Sequence, residues 1–162
     1  YGQLSMTEII QRRMTADVEG EFVVFLIGLR VNKPWKIHKW LPITNAMRRM
    51  IEELYQHPDL GFVSHESWFG RTTIMVQYWK SFEQLDSYAR RKSSSHLPAW
   101  EAFNKKVGSN GDVGIWHETY LSQKGKYESV YNNMPKFGLA KVGAHVPAEG
   151  KFKSADDRVK RS

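Results

Sequence analysis

The chain has 162 residues, 41% of them hydrophobic and 13% aromatic, which suits one domain with a packed core. It contains no cysteine, so disulfides, thiolate metal sites, cysteine nucleophiles and thiolate-ligated haem are all excluded. The formal charge is +7, but Arg48-Arg49 is followed by Glu52-Glu53 and no nucleic-acid motif accompanies the basic residues, so solvated surface is expected and no nucleic-acid partner.

The longest apolar run, Phe22–Leu29, is too short to span a bilayer, and the N-terminus has no apolar signal-peptide core. A cytoplasmic protein without a membrane span is expected. Residues 1–20 read as an N-terminal arm, in which Ser5–Val18 carries a thin helical stripe of Met6, Ile9, Ile10 and Met14. Residues 21–146 read as the domain. It opens with Glu21–Val31, a continuous β-branched and aromatic run that predicts a strand buried on both faces.

Asn32–Pro42, with two prolines, Trp35 and Trp40, reads as a loop. Ile43, Met47, Met50, Ile51 and Leu54 then mark one face of a helix ended by His57-Pro58. Gly61–Phe69 and Thr72–Trp79 read as a hairpin turned at Gly70-Arg71. Ser81, with Gln84 three residues later, opens a helix over Ser81–Arg91.

After Ser93-Ser94-Ser95, residues His96, Trp100, Phe103 and Val107 share one face of a second helix, with Pro98 in its first turn. Gly108–Gly111 stops that helix. In the strand Asp112–Leu121, alternation places Val113, Ile115, His117, Thr119 and Leu121 on one side. Two imidazoles, His96 and His117, are thereby turned toward one interior, placed to flank a buried ligand. The plain alternative is a pair of hydrogen-bonded core histidines. Lys126–Tyr131 reads as a last short strand, and residues 147–162, charged and without an apolar period, as a flexible tail.

The order β-α-β-β-α-α-β predicts an α+β domain of the ferredoxin-like split βαβ type, an antiparallel sheet with helices on one side. Its other face needs a cover, and a homodimer packed sheet to sheet supplies one. Phosphate-loop, zinc-protease and nucleophile-elbow motifs are absent from the sequence.

The segment YWKSFEQLDSYAR followed by HLPAWEAF resembles antibiotic-biosynthesis-monooxygenase-like members of the dimeric α+β barrel superfamily. FLIGLRVNKPW, SWFG, WHETY and YNNMPKFGLA are similar to a monooxygenase-like family related to the fungal fumagillin-pathway polyketide monooxygenase. The order of His96, then Trp116-His117-Glu118-Thr119, then Val130–Pro135 also resembles the C-terminal half of haem-containing aldoxime dehydratases. That resemblance implies haem b with His96 as axial iron ligand, His117 as distal acid–base group, and Trp100, Phe103 and Ile115 as apolar walls. The dehydratases are about twice this length, and Met134 stands where they have histidine. Three functions are therefore carried forward: a haem enzyme of monooxygenase or dehydratase type, a cofactor-independent monooxygenase acting on a small apolar, aromatic or polyketide-like substrate, and a non-enzymatic haem or ligand carrier.

Overall fold

The computed structural model describes residues 8–90 and 110–161. The contacts group into two compact units, Val23–Tyr120 and the combination of Tyr1–Phe22 with Leu121–Ser162. In chain order the strands are β1 Ile10–Asp17, β2 Glu21–Val31, β3 Phe62–Trp68, β4 Ile74–Trp79, β5 Val113–Gln123, β6 Tyr131–Met134 and β7 Ala144–Pro147. The helices are α1 Ile37–Gln56, α2 Phe82–Arg90 and α3 Ala155–Arg161.

The Val23–Tyr120 unit is built on a four-stranded sheet of order β3-β4-β2-β5. β4 is antiparallel to both β2 and β3, with Val23 and Phe62 each opposite Trp79. Contacts of β2 with β5 run in opposite senses, Asn32 meeting Asp112 and Arg30 lying beside Gly114. This order and chain path are those of the ferredoxin-like α+β fold. The expected fold class is therefore the one observed.

Helices α1 and α2 pack on one face of that sheet. Met50, Ile51 and Leu54 of α1 and Leu85 and Tyr88 of α2 close over Val23, Phe62 and Trp79, all buried. A second cluster joins Leu29 and Val113 to Trp40, Ile43, Met47 and Ile115. Trp79 is wholly buried, edge-on to Phe62 at 5.6 Å, and its indole N–H donates to Gln77 Oε1 at 2.9 Å. On the opposite face a Cβ added to Gly28 would lie 2.0 Å from the Thr73 carbonyl oxygen and 2.7 Å from Trp116 Nε1. Glycine is needed there for close approach.

Several local expectations are corrected. The stretch read as a loop up to Pro42 is helical from Ile37, with Pro42 inside α1. Proline removes one helical hydrogen bond, but Trp40, Ile43 and Met47 form a packed face around it, and the Thr44 hydroxyl donates to the Trp40 carbonyl at 3.3 Å. The hairpin connection is longer than two residues, since Trp68 pairs with Ile74. Ser81 caps α2 as expected, its Oγ accepting from the Gln84 N–H at 3.2 Å. The helix expected to carry His96, Trp100 and Phe103 lies outside the described residues.

The second unit has a three-stranded sheet of order β6-β1-β7. Its central strand, β1, is the segment read as a helical arm, and Met14, Thr15 and Ala16 are buried in it. The expected strand over Lys126–Tyr131 is displaced, β6 beginning at Tyr131. Backbone and side-chain bonds from 127–129 instead tie to β1 and its end: Thr15 Oγ1 donates to the Ser129 carbonyl at 2.8 Å, and the Val18 N–H to the Tyr127 hydroxyl at 2.5 Å.

The terminal segment expected to be a flexible tail carries regular structure. Gly150–Phe152 is a 3-10 turn with Phe152 buried, and α3 follows, capped by Ser154 Oγ accepting from the Asp157 N–H at 3.1 Å. Arg158 is buried, its Nε donating to Glu128 at 2.6 Å and its Nη1 to the Phe152 and Lys153 carbonyls at 3.1 and 2.9 Å. Arg158→Ala strands a partly buried carboxylate and two carbonyls, and a loss of about 3 kcal/mol is expected in urea unfolding. A loss within error would return this segment to the status of a dispensable tail.

Candidate functional site

A cavity of about 200 Å³ lies between α1 and the hairpin end of the sheet. From α1 it is lined by Thr44, Met47, Arg48 and Ile51, among others, residues three and four apart on one helical face. Leu29 of β2, Met75 and Ile74 of β4, and His65, Ser67 and Trp68 of β3 close the other side, with Phe69 and Thr73 in the connection. Phe69 is 81% exposed and Trp68 46% exposed, so the aromatic end of the hairpin stands at the solvent edge of the cavity.

His65 and Arg48 are the two ionisable side chains in the lining. His65 Nδ1 is 2.8 Å from the hydroxyl of Tyr55, which stands on α1 seven residues beyond Arg48. Tyr55 is itself held edge-on by Phe62 at 5.1 Å. Arg48 lies 3.9 Å from Glu52, a solvent-exposed pairing that leaves its guanidinium loosely held.

Strand register relates this cavity to the sequence-predicted site. His65 pairs with Gln77, Gln77 pairs with Phe25, and the His117 ring lies 5.8 Å from the Phe25 ring. His65, Gln77 and Phe25 thus form a row across three strands on the helix-facing side, which the His117 ring meets from β5. His117 is on the side predicted for it, with Val113 and Ile115. It is exposed, however, and does not line the cavity. Ile115 packs against the Leu29–Val113 cluster. His96, Trp100 and Phe103 lie outside the described residues, so nothing here brings His96 and His117 together.

Simple alternation along the strand would set His65 on the face opposite Phe62. A register irregularity between Phe62 and Ser64 puts both residues on the helix-facing side. Tyr55 was legible in principle, falling on the same helical stripe as Arg48 and Ile51.

The loop leading into α1 is pinned by a buried carboxylate. Asp112, 3% exposed, meets Lys33 Nζ at 2.7 Å and Lys36 Nζ at 2.8 Å. Its backbone carbonyl accepts from the N–H groups of Asn32 and Lys33 at 3.1 and 3.2 Å. Hydrogen bonds from Lys33 and then Lys36 hold the Asp112 carboxyl down to about 2, below its ordinary 3.8, against the opposing cost of desolvation.

Among the described residues no group of three or more His, Cys, Asp or Glu side chains is placed to hold a metal ion. The cavity is also smaller than the several hundred Å³ usual for cofactor sites, and its one imidazole commits Nδ1 to Tyr55. The cavity beside His65 therefore does not fit a haem, and the residues expected to hold one, His96, Trp100 and Phe103, lie outside the described residues. No described helix is long and apolar enough to cross a membrane.

Comparison with known proteins adds three findings. The family model described as Monooxygenase af470-like matches residues 22–139. Monooxygenase af470 of Aspergillus fumigatus is 28% identical over 149 residues, covering 79% of this chain and 53% of the relative. The chain thus spans about half the length of that relative. Among solved structures, an aldoxime dehydratase superposes with a TM-score of 0.63 at 17% identity, over 99% of this chain and 47% of that one. SnoaB, a cofactor-independent oxygenase from Streptomyces nogalater, gives 0.45 at 14% identity, over 64% and 94%. These structural likenesses are of fold alone.

A depressed carboxyl stabilises the folded state above its unfolded pKa and loses that contribution as pH falls through its folded value. Wild-type stability is therefore expected to fall between about pH 4 and 2 through Asp112. Asp112→Asn should be less stable at pH 7 and show a flatter melting profile across that window. Parallel profiles for the two proteins would remove Asp112 from this role.

Proposed function

The chain belongs to the Monooxygenase af470-like family, and on that premise we propose that it is an oxygenase. It would take a small aromatic or polyketide-like substrate into the cavity between α1 and the sheet. The observation that carries this reading is the lining: Leu29, Met47, Ile51 and Met75 give apolar contact, Trp68 and Phe69 offer aromatic faces, and only His65 and Arg48 bring charge chemistry.

Such a wall suits a substrate that supplies its own electrons. A carbon activated by neighbouring hydroxyl-bearing rings gives up two hydrogens to molecular oxygen. One oxygen atom stays on that carbon as a carbonyl, and the other leaves as water with both hydrogens. No further reductant is needed, and the protein's part is to hold the substrate, exclude water and move a proton. His65 is the imidazole in the cavity wall, while His117, the acid–base group that the dehydratase resemblance implies, is exposed outside the cavity lining.

The test is oxygen uptake by chelator-treated protein with a panel of anthrones. One oxygen consumed per substrate oxidised is expected, and Met47→Trp, which fills the cavity, should lower the rate about 10²-fold without changing the fold. Binding without oxygen uptake would make the protein a carrier. Uptake that appears only with added haem, together with a Soret band that His96→Ala removes, would replace this reading with the haem one.

The same proposal includes a homodimer joined through the outer sheet face. Val24, Leu26, Val76 and Tyr78 on that side are only half-buried, although their chemistry suits burial. Sedimentation at micromolar concentration should give twice the chain mass of 18.9 kDa. A stable monomer counts against it.

A further inference from the structure

We infer that Phe69 is the residue by which this cavity selects its ligand. Its ring closes over the mouth and stacks on a flat aromatic ring, so planar compounds are preferred to saturated ones of the same skeleton. The inference deepens the oxygenase reading by naming the substrate class, and rests on that reading only for the fate of the ligand. Phe69 lines the cavity, yet it is 81% exposed. Among the described residues its ring has no aromatic partner and joins neither of the two core clusters described above. A benzyl group at a rim, without packing of its own, gains buried area when the cavity fills.

The backbone holds the base of this ring and leaves the ring itself room to move. Trp68 pairs with Ile74, so residues 69–73 connect β3 to β4. The later part of that connection is tied to β2. The Val31 N–H donates to the Arg71 carbonyl and the Thr73 N–H to the Leu29 carbonyl, each at 2.8 Å, and Arg30 Nη1 donates to Thr72 Oγ1 at 2.7 Å. Phe69 and Gly70 form the tip, and among the described residues they enter none of these tethers. A Cβ on Gly70 would meet the Thr72 carbonyl oxygen at 3.7 Å, an ordinary contact. Close packing therefore does not require glycine there; glycine frees the backbone next to Phe69.

The remaining walls set the kind of ligand. Met47 and Ile51 of α1 and Leu29, Ile74 and Met75 of the sheet are apolar, and the thioethers among them suit aromatic rings. A cavity of about 200 Å³ takes a small ligand, so one aromatic neighbour covers a large share of it. A flat ring offers Phe69 a whole face and the attraction between offset rings. A puckered saturated ring of equal carbon number offers neither. The cavity lies between α1 and the sheet, on the side away from the outer face proposed for the dimer.

The probes are 2-naphthol and decahydro-2-naphthol, which share carbon skeleton and hydroxyl and differ in flatness. Calorimetric titration of the wild-type chain should show 2-naphthol binding about ten-fold more tightly. Phe69→Ala and Phe69→Leu should each weaken 2-naphthol about ten-fold while changing the saturated alcohol less than about two-fold. Phe69→Tyr, which keeps the ring, should retain wild-type affinity. Chymotrypsin cleavage at the Phe69–Gly70 bond, followed by mass, should slow when 2-naphthol saturates the protein; unchanged cleavage would overturn the closure. Equal wild-type affinity for the two alcohols overturns the inference. So does a preference for 2-naphthol that survives in Phe69→Ala, or in Phe69→Leu, where bulk alone would then be at work. If Phe69→Ala instead halves the sedimenting mass and leaves 2-naphthol affinity unchanged, the ring belongs to a contact between copies and the inference fails. Ring selection of the expected kind without oxygen uptake on anthrones would support this site and remove the oxygenase reading. Oxygen uptake and naphthol preference both untouched by Phe69→Ala would do the reverse.

Discussion

The hydrogen bond from the buried indole of Trp79 to the side-chain carbonyl of Gln77 organises the Val23–Tyr120 unit. A buried indole N–H without a partner costs on the order of 1–3 kcal/mol, as does a buried amide. By satisfying each other, these two polar groups let β4 turn large side chains into the helix-facing core. Trp79 then packs against Phe62 at 5.6 Å and Tyr88 at 5.7 Å, joining sheet to α2. The Gln77 amide lies 3.3 Å from Met75 Sδ, the next residue on that side and part of the cavity lining. The floor of the candidate site is therefore continuous with the most buried part of the sheet, which is how a loop-edged cavity obtains rigid walls.

α1 forms the opposite wall, and it forms against its local preferences. It has no side-chain cap at its start, no acidic residue in its first turn and a proline inside. Local propensity places the boundary after Pro42. What overrides it is the burial of Trp40, Ile43 and Met47 against Leu29 and Val113, together with the lysine–Asp112 pairs that hold the incoming loop. Packing of an apolar face contributes more than the one hydrogen bond that proline removes.

In the second unit the balance is similar. The stripe of Ile10 and Met14 fits a helix or a strand equally, and pairing of β1 on both sides with β6 and β7 settles it. Arg158 shows why composition misleads at the C-terminus: a charged, apolar-poor segment reads as solvated, yet one buried guanidinium shared by Glu128 and two carbonyls ties it down.

What the sequence determined by itself is the order of elements in the sheet-forming unit, the helix-facing side of β5 and the capped start of α2, because these follow from period, turn chemistry and capping, all local. Its monooxygenase-like character was legible too, in short motifs spread from Phe25 to Ala140. Tertiary structure alone decided the cavity and its ionisable pair. Tyr55 reaches His65 across the α1–β3 interface and Arg48 lines the same cavity, and His65 faces α1 only because a one-residue irregularity after Phe62 reverses the alternation. Such a shift leaves no mark in hydrophobic period, since Phe62, Val63 and His65 read as strand residues in either register. The pairing of Asp112 with lysines some 80 positions away is likewise a matter of strand order, which brings the start of β5 beside the end of β2.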